Sequence, residues 1–144
     1  MRAGMIAVVL TSLSMAGTAS AQAAPAAAPS AAAPEIFFRE PKNGATVPTT
    51  FSVVFGLRNY GVAPAGAKFP NTGHFHVLID GAPVPGVGVV IPADSVSRHF
   101  GTGAIETKLT LPKGRHTLQL VLGDAEHKVI GPELVSKAIT VTVR

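Results

Sequence analysis

The sequence predicts an all-β sandwich preceded by an export signal and a disordered tether. Three observations carry the sandwich. Residues 35–144 hold about seven short segments in which apolar and polar residues alternate, Gly, Pro, Asn and Asp separate those segments, and no helix-length stretch shows a 3.6-residue period.

The first predicted strand, residues 36–39, closes on the turn Pro41-Lys42-Asn43-Gly44. In the second, Phe51, Val53, Phe55 and Leu57 alternate with Ser52, Val54 and Gly56, the pattern of a half-buried strand. A polar, Gly- and Pro-rich connection over 58–73 leads to the third, residues 74–79, which ends at Asp80-Gly81. A weaker fourth strand covers 87–91 and is stopped by Pro92. The fifth covers 107–111 and the sixth 116–122. In the seventh, 137–143, Ile139, Val141 and Val143 share one face and Thr140 and Thr142 the other. Seven short strands in about 110 residues is the pattern of an immunoglobulin-like β-sandwich. Leu111-Pro112-Lys113-Gly114-Arg115-His116 has the layout of the corner between its fifth and sixth strands, where such folds place a Tyr that bonds back to the main chain. His116 stands in that slot, and its ring nitrogen can make the same bond, so it is read as structural.

The segments before the sandwich follow different rules. Arg2 and the mostly apolar run from Met5 to Met15 read as a secretory signal over residues 1–23, and the run is too short to span a bilayer as a stable anchor. Small residues at Ala19-Ser20-Ala21 and Ala21-Gln22-Ala23 place cleavage after Ala21 or Ala23. The expected location is periplasmic or secreted, with no stable membrane insertion after cleavage. Residues 24–34, made of Ala, Pro and one Ser, cannot bury enough surface to order themselves, and form a linker reaching up to ~34 Å in extended form. Residues 35–144 are the folded domain.

Composition narrows the chemistry. There is no Cys, and Met1, Met5 and Met15 all leave with the signal, so a metal must be held by nitrogen and oxygen. Without Arg2 the chain has 11 basic against 8 acidic residues, a net charge of +3, and the basic positions are scattered from Arg39 to Arg144. That is a solvated surface and excludes a nucleic-acid footprint. Gly101-Thr102-Gly103 lacks the strand-to-helix setting of a phosphate cradle. No nucleophile sits on a sharp turn beside a base, which argues against a hydrolase, and no catalytic residues are assigned.

Histidine is where chemistry concentrates. His74 and His76 begin the third strand, His99 falls in the connection between the fourth and fifth, and His127 in that between the sixth and seventh. In an immunoglobulin-like sandwich these regions gather at one end, with the His116 corner at the other. Residues i and i+2 of a strand point the same way about 6.6 Å apart, a span two imidazoles can close around one ion. His74 and His76 are therefore the candidate clamp, completed by His127 or His99, with Asp124 or Glu126 as oxygen donors. His99 is expected to reach across from the opposite sheet. Such a set favours Zn(II), Cu(II) or Ni(II) over Cu(I). The alternative is a non-catalytic module whose end loops, over 58–73, 94–103 and 123–132, contact an envelope protein or glycan without metal.

Four motifs occur in order: Pro41-Lys42-Asn43-Gly44-Ala45-Thr46-Val47, Asn71-Thr72-Gly73-His74-Phe75-His76-Val77-Leu78-Ile79-Asp80, His99-Phe100-Gly101 and Lys113-Gly114-Arg115-His116-Thr117-Leu118-Gln119-Leu120. Together they resemble the bacterial domain of unknown function 4399 family, over nearly all of 35–144. The resemblance implies an exported bacterial domain, usually occurring singly. The family typically has three consecutive histidines where this chain has His74-Phe75-His76, and often a further histidine shortly after the His127 position, where this chain has Val129 and Ile130.

Overall fold

A computed structural model describes residues 32–144. The signal over 1–23 and most of the linker lie outside the described residues. Among the described residues nine strands and one short 3-10 helix follow in order: β1 (Glu35–Glu40), β2 (Thr46–Val47), β3 (Thr50–Arg58), β4 (Gly61–Val62), β5 (Thr72–Ile79), β6 (Ser97–Phe100), β7 (Glu106–Thr110), β8 (Gly114–Gly123), η1 (Pro132–Leu134) and β9 (Ile139–Val143). They form two sheets, one ordered β1-β3-β7 and one ordered β2-β9-β8-β5-β4, with β6 added alongside β5. The fold is an immunoglobulin-like sandwich.

Strand alternation builds the core. Ile36, Phe38, Phe51, Val53, Phe55 and Leu109 of the smaller sheet meet Phe75, Val77, Ile79, Leu118, Leu120, Leu122, Val141 and Val143 of the larger, all buried. Phe55 stacks on Phe75 with ring centroids 4.6 Å apart. At about 25 cal/mol per Å² this interleaved apolar surface is the main driving force for folding.

The larger sheet also carries a second, smaller core on its outer face. Leu78 of β5 and Val121 of β8 pack there under Ile91 and Val129, which arrive on the long β5–β6 and β8–β9 connections. The bridges Val90–Lys128 and Gly123–Val129 knit those connections together. Both faces of β5 are thereby covered, so every residue from Gly73 to Ile79 is buried.

One predicted strand is displaced. Residues 87–91 do not form a ladder strand: Gly88 takes a left-handed φ of 78°, Val89 N–H closes a turn on the Gly86 carbonyl, and only an isolated bridge remains. The strand lies instead at Ser97–Phe100, and it joins the larger sheet beside β5. Its apolar content is too thin for a strand signal, because it is an edge strand held by its ladder bonds to β5.

Candidate metal centre

The displaced strand changes where His99 sits. In the β5–β6 register His76 is directly opposite His99 and Phe75 opposite Phe100. Direct antiparallel partners share a face, so Phe100 turns toward Phe55 in the core while His99 joins His74 and His76 on the outer face. The expectation that His99 must reach across from the opposite sheet is therefore corrected: it belongs to the neighbouring strand of the same sheet. The meeting place is correspondingly this outer face, close to the β8–β9 connection.

His127 is delivered by a tight turn. Asp124 Oδ1 accepts the N–H groups of Glu126 and Lys128 at 2.8 and 2.9 Å, and His127 N–H bonds the Asp124 carbonyl at 3.0 Å. His127 itself adopts φ 66°, the left-handed region, and its carbonyl accepts the N–H of Ile91 at 2.8 Å. The turn thus folds its imidazole back over β5.

Four imidazoles from three stretches of chain converge. Ring centroids are 5.0 Å apart for His74–His76, His74–His99 and His76–His99, 4.9 Å for His74–His127, 4.7 Å for His99–His127 and 6.1 Å for His76–His127. Imidazoles bonded to one tetrahedral ion at 2.0–2.1 Å have centroids about 5 Å apart. One ring nitrogen from each of His74, His99 and His127 lies within 4.8 Å of the other two. His76 stands slightly aside, its Nε2 3.1 Å from His74 Nε2.

Two glycines clear the room. A Cβ on Gly101 would overlap the His99 ring, and one on Gly123 would come within 3.0 Å of His76 Nε2 and 3.2 Å of Ile91 Cδ1. Neither glycine is in the left-handed region, so what each position requires is space.

The electrostatics favour the neutral form of His74, His76 and His99. His74 and His76 are 0% exposed, and burial, reinforced by His99 and His127, lowers the His74 pKa to about 4. Burial again leads for His76, followed by His74, His99 and His127, and lowers it to about 3. His99 is lowered too, by burial and then by His127. Neutral imidazole is the metal-binding form. The Nδ1 atoms of both His74 and His76 are buried without a hydrogen-bond partner.

The proposed oxygen donors are engaged elsewhere. Asp124 Oδ1 holds its own turn, and Glu126 is bonded by Lys128 and Lys68, each at 2.9 Å, which hold its carboxyl down at about 2. The mutually close set of donors among the described residues is imidazole alone.

His116 lies apart, seven residues down β8 from Gly123, about 23 Å at strand rise. Its Nε2–H donates to the Pro112 carbonyl at 2.9 Å, the backbone bond read from the corner layout, and its Nδ1 faces Asp80 Oδ2 at 2.8 Å. Asp80 was not picked out by sequence reasoning; its position in the turn after β5 was the only signal. Its other oxygen accepts the Thr117 N–H at 3.1 Å.

The fold and the cluster define a β-sandwich domain with an all-imidazole candidate metal centre. Over residues 53–144 the chain matches the family described as Domain of unknown function (DUF4399), and it belongs to that family. No curated protein matches it. Among solved structures, it is similar to the fibronectin(III)-like modules of Clostridium thermocellum CbhA, at 12% identity and TM-score 0.35, over 75% of this chain and 92% of that one.

Proposed function

We propose that the protein is an exported domain of the periplasm or cell exterior that binds a divalent transition metal, Zn(II) or Cu(II), at the histidine cluster, for metal handling or presentation at the cell envelope. The observation that supports it best is the near-equal spacing of the His74, His99 and His127 rings, 4.7 to 5.0 Å, about the separation of imidazoles around one ion. The lowered pKa values of His74, His76 and His99 keep these rings in the neutral form that binds metal, and the stability they cost in acid is what a bound ion would restore.

Binding without catalysis is the reading because the one His–carboxylate pair among the described residues, His116–Asp80, has no free base. His116 Nε2 is occupied by the Pro112 carbonyl, so it cannot take a proton from a nucleophile. Isothermal titration of the protein with Zn(II) and Cu(II) at pH 7.5 tests the function. One ion per chain is expected, lost in the His74→Ala, His76→Ala double variant; no heat and no ion-dependent rise in Tm would overturn it.

A second reading, a non-catalytic module for an envelope protein or glycan, draws on one surface feature. Phe69 and Val87 are 66% and 62% exposed and line one groove with Lys68 and Tyr60.

A further inference from the structure

The geometry points to a three-histidine centre whose remaining coordination position takes a small exogenous anion with an oxygen or nitrogen donor, His76 serving as a positioning residue behind His74. This rests on the metal-binding reading and specifies what that site does with its ion.

The count of ring nitrogens supports three ligands over four. His74 Nε2 is engaged with His76 Nε2 at 3.1 Å, while the Nδ1 atoms of both rings are buried and unpartnered. If both Nε2 atoms bound the ion, both Nδ1 atoms would carry protons, leaving two buried N–H donors with no acceptor. Each such orphan carries the full desolvation penalty of an unmade hydrogen bond. If His74 binds through Nδ1, its Nε2–H donates to His76 Nε2, and only one orphan remains. A metal-bound imidazole normally gives its second N–H to an acceptor that fixes its orientation, and His76 is that acceptor. The spacing agrees: His76 is absent from the mutually close set, and its ring is the one 6.1 Å from His127.

Charge then selects the fourth ligand. Three imidazoles contribute none, and the nearby carboxylates of Asp124 and Glu126 are bound to main-chain N–H groups and to Lys68 and Lys128. Glu126 is neutralised by its two lysines, and Asp124 offsets at most one of the two positive charges of the ion; the net positive charge left in a partly buried setting favours an anion over water. Entry is from the solvent side, because His74 is fully buried while His99 and His127 lie on solvent-reached elements. A three-histidine zinc-type site with an open position is the arrangement that exchanges ligands, whereas four protein ligands close it.

Co(II), whose visible bands report coordination, gives the test with the full chain. Co(II) is added at pH 7.5, and sodium azide is then titrated in. The expected result is a saturable change of the Co(II) bands with azide, with His76→Gln still binding Co(II), about 10–100-fold more weakly, and still responding to azide. His74→Ala abolishes the bands. Co(II) bands indifferent to azide in the wild-type chain would overturn the open position while leaving metal binding intact, and this measurement needs no variant. Loss of Co(II) by His76→Gln as complete as that by His74→Ala, in variants with native circular dichroism, would make His76 a ligand and overturn the three-histidine assignment. Failure of the wild-type chain to bind Co(II), Zn(II) and Cu(II) alike would remove the metal reading itself.

Discussion

The Nε2 atoms of His74 and His76 lie 3.1 Å apart where neither side chain has any exposed surface. Two imidazoles so placed cannot both carry a proton there. One N–H donates to the other ring, and both rings stay neutral far below the ordinary histidine range. This pair decides how the domain responds to acid and to metal.

Stability without metal should therefore fall as pH falls. The native pKa values of His74 and His76 are lowered to about 4 and about 3, so below pH 6.5 the unfolded chain takes up protons that the native state refuses. The pair has no effect above pH 6.5. The loss grows from 6.5 toward 4, reaching on the order of 2–3 kcal/mol from His74 alone. Urea unfolding at pH 7.5, 5.5 and 4.5 should show this slope, and a His74→Gln, His76→Gln variant should flatten it; parallel slopes would contradict the assignment. Zn(II) affinity should also decline less between pH 7.5 and 5.5 than for exposed imidazoles, because the buried ring stays deprotonated.

His116 should behave in the opposite sense. Its hydrogen bond to Asp80 raises its pKa, so its contribution is fully present below pH 6.5 and is lost as pH rises through the raised value. His116→Ala leaves the Pro112 carbonyl and Asp80 without their partner and should cost about 1–3 kcal/mol at pH 6. Metal stoichiometry should be unchanged. A variant that loses metal while keeping wild-type Tm would reverse the two roles.

His127 offers a separation of site from scaffold. Its φ of 66° is a conformation glycine adopts without strain, whereas other L-residues there cost about 1–2 kcal/mol. His127→Gly should leave metal-free Tm equal or slightly higher while weakening Zn(II) binding at least tenfold. Unchanged affinity in calorimetry would exclude His127 as a ligand.

Gly101→Ala and Gly123→Ala probe the same site from below. The new methyl would overlap the His99 ring in the first and press on His76 Nε2 and Ile91 in the second. Both should weaken metal binding, the first more, because His99 must leave its rotamer. Equal affinity for Gly101→Ala and wild type would show that the His99 ring is not held where the cluster needs it.

Much of this was legible in the sequence. The alternation in Phe51 to Leu57 and the turn residues around Asp80-Gly81 define strands locally, and the His-x-His pair follows from strand periodicity. The corner at His116 was legible because its sequence layout determines the Pro112 bond. What was not legible depended on partners distant in sequence. Val87 to Ile91 carry the strand-like composition, yet Gly86 and Gly88 turn the chain so that Ile91 caps the outer face. Ser97–Phe100 lacks that composition, yet pairs with β5 and sets His99 opposite His76. Ile91 and Val129, carried on the long connections, also explain why both faces of β5 are buried, which no alternation over residues 74–79 announces.

The central claim is that one ion sits among His74, His99 and His127. A crystal of the full chain grown with Zn(II), with anomalous scattering recorded at the zinc edge, tests it most directly. A single strong peak at about 2.0–2.1 Å from one nitrogen of each of these three rings is the predicted result. Anomalous density only at the Asp124–Glu126 turn, or none near the histidines at saturating Zn(II), would contradict it.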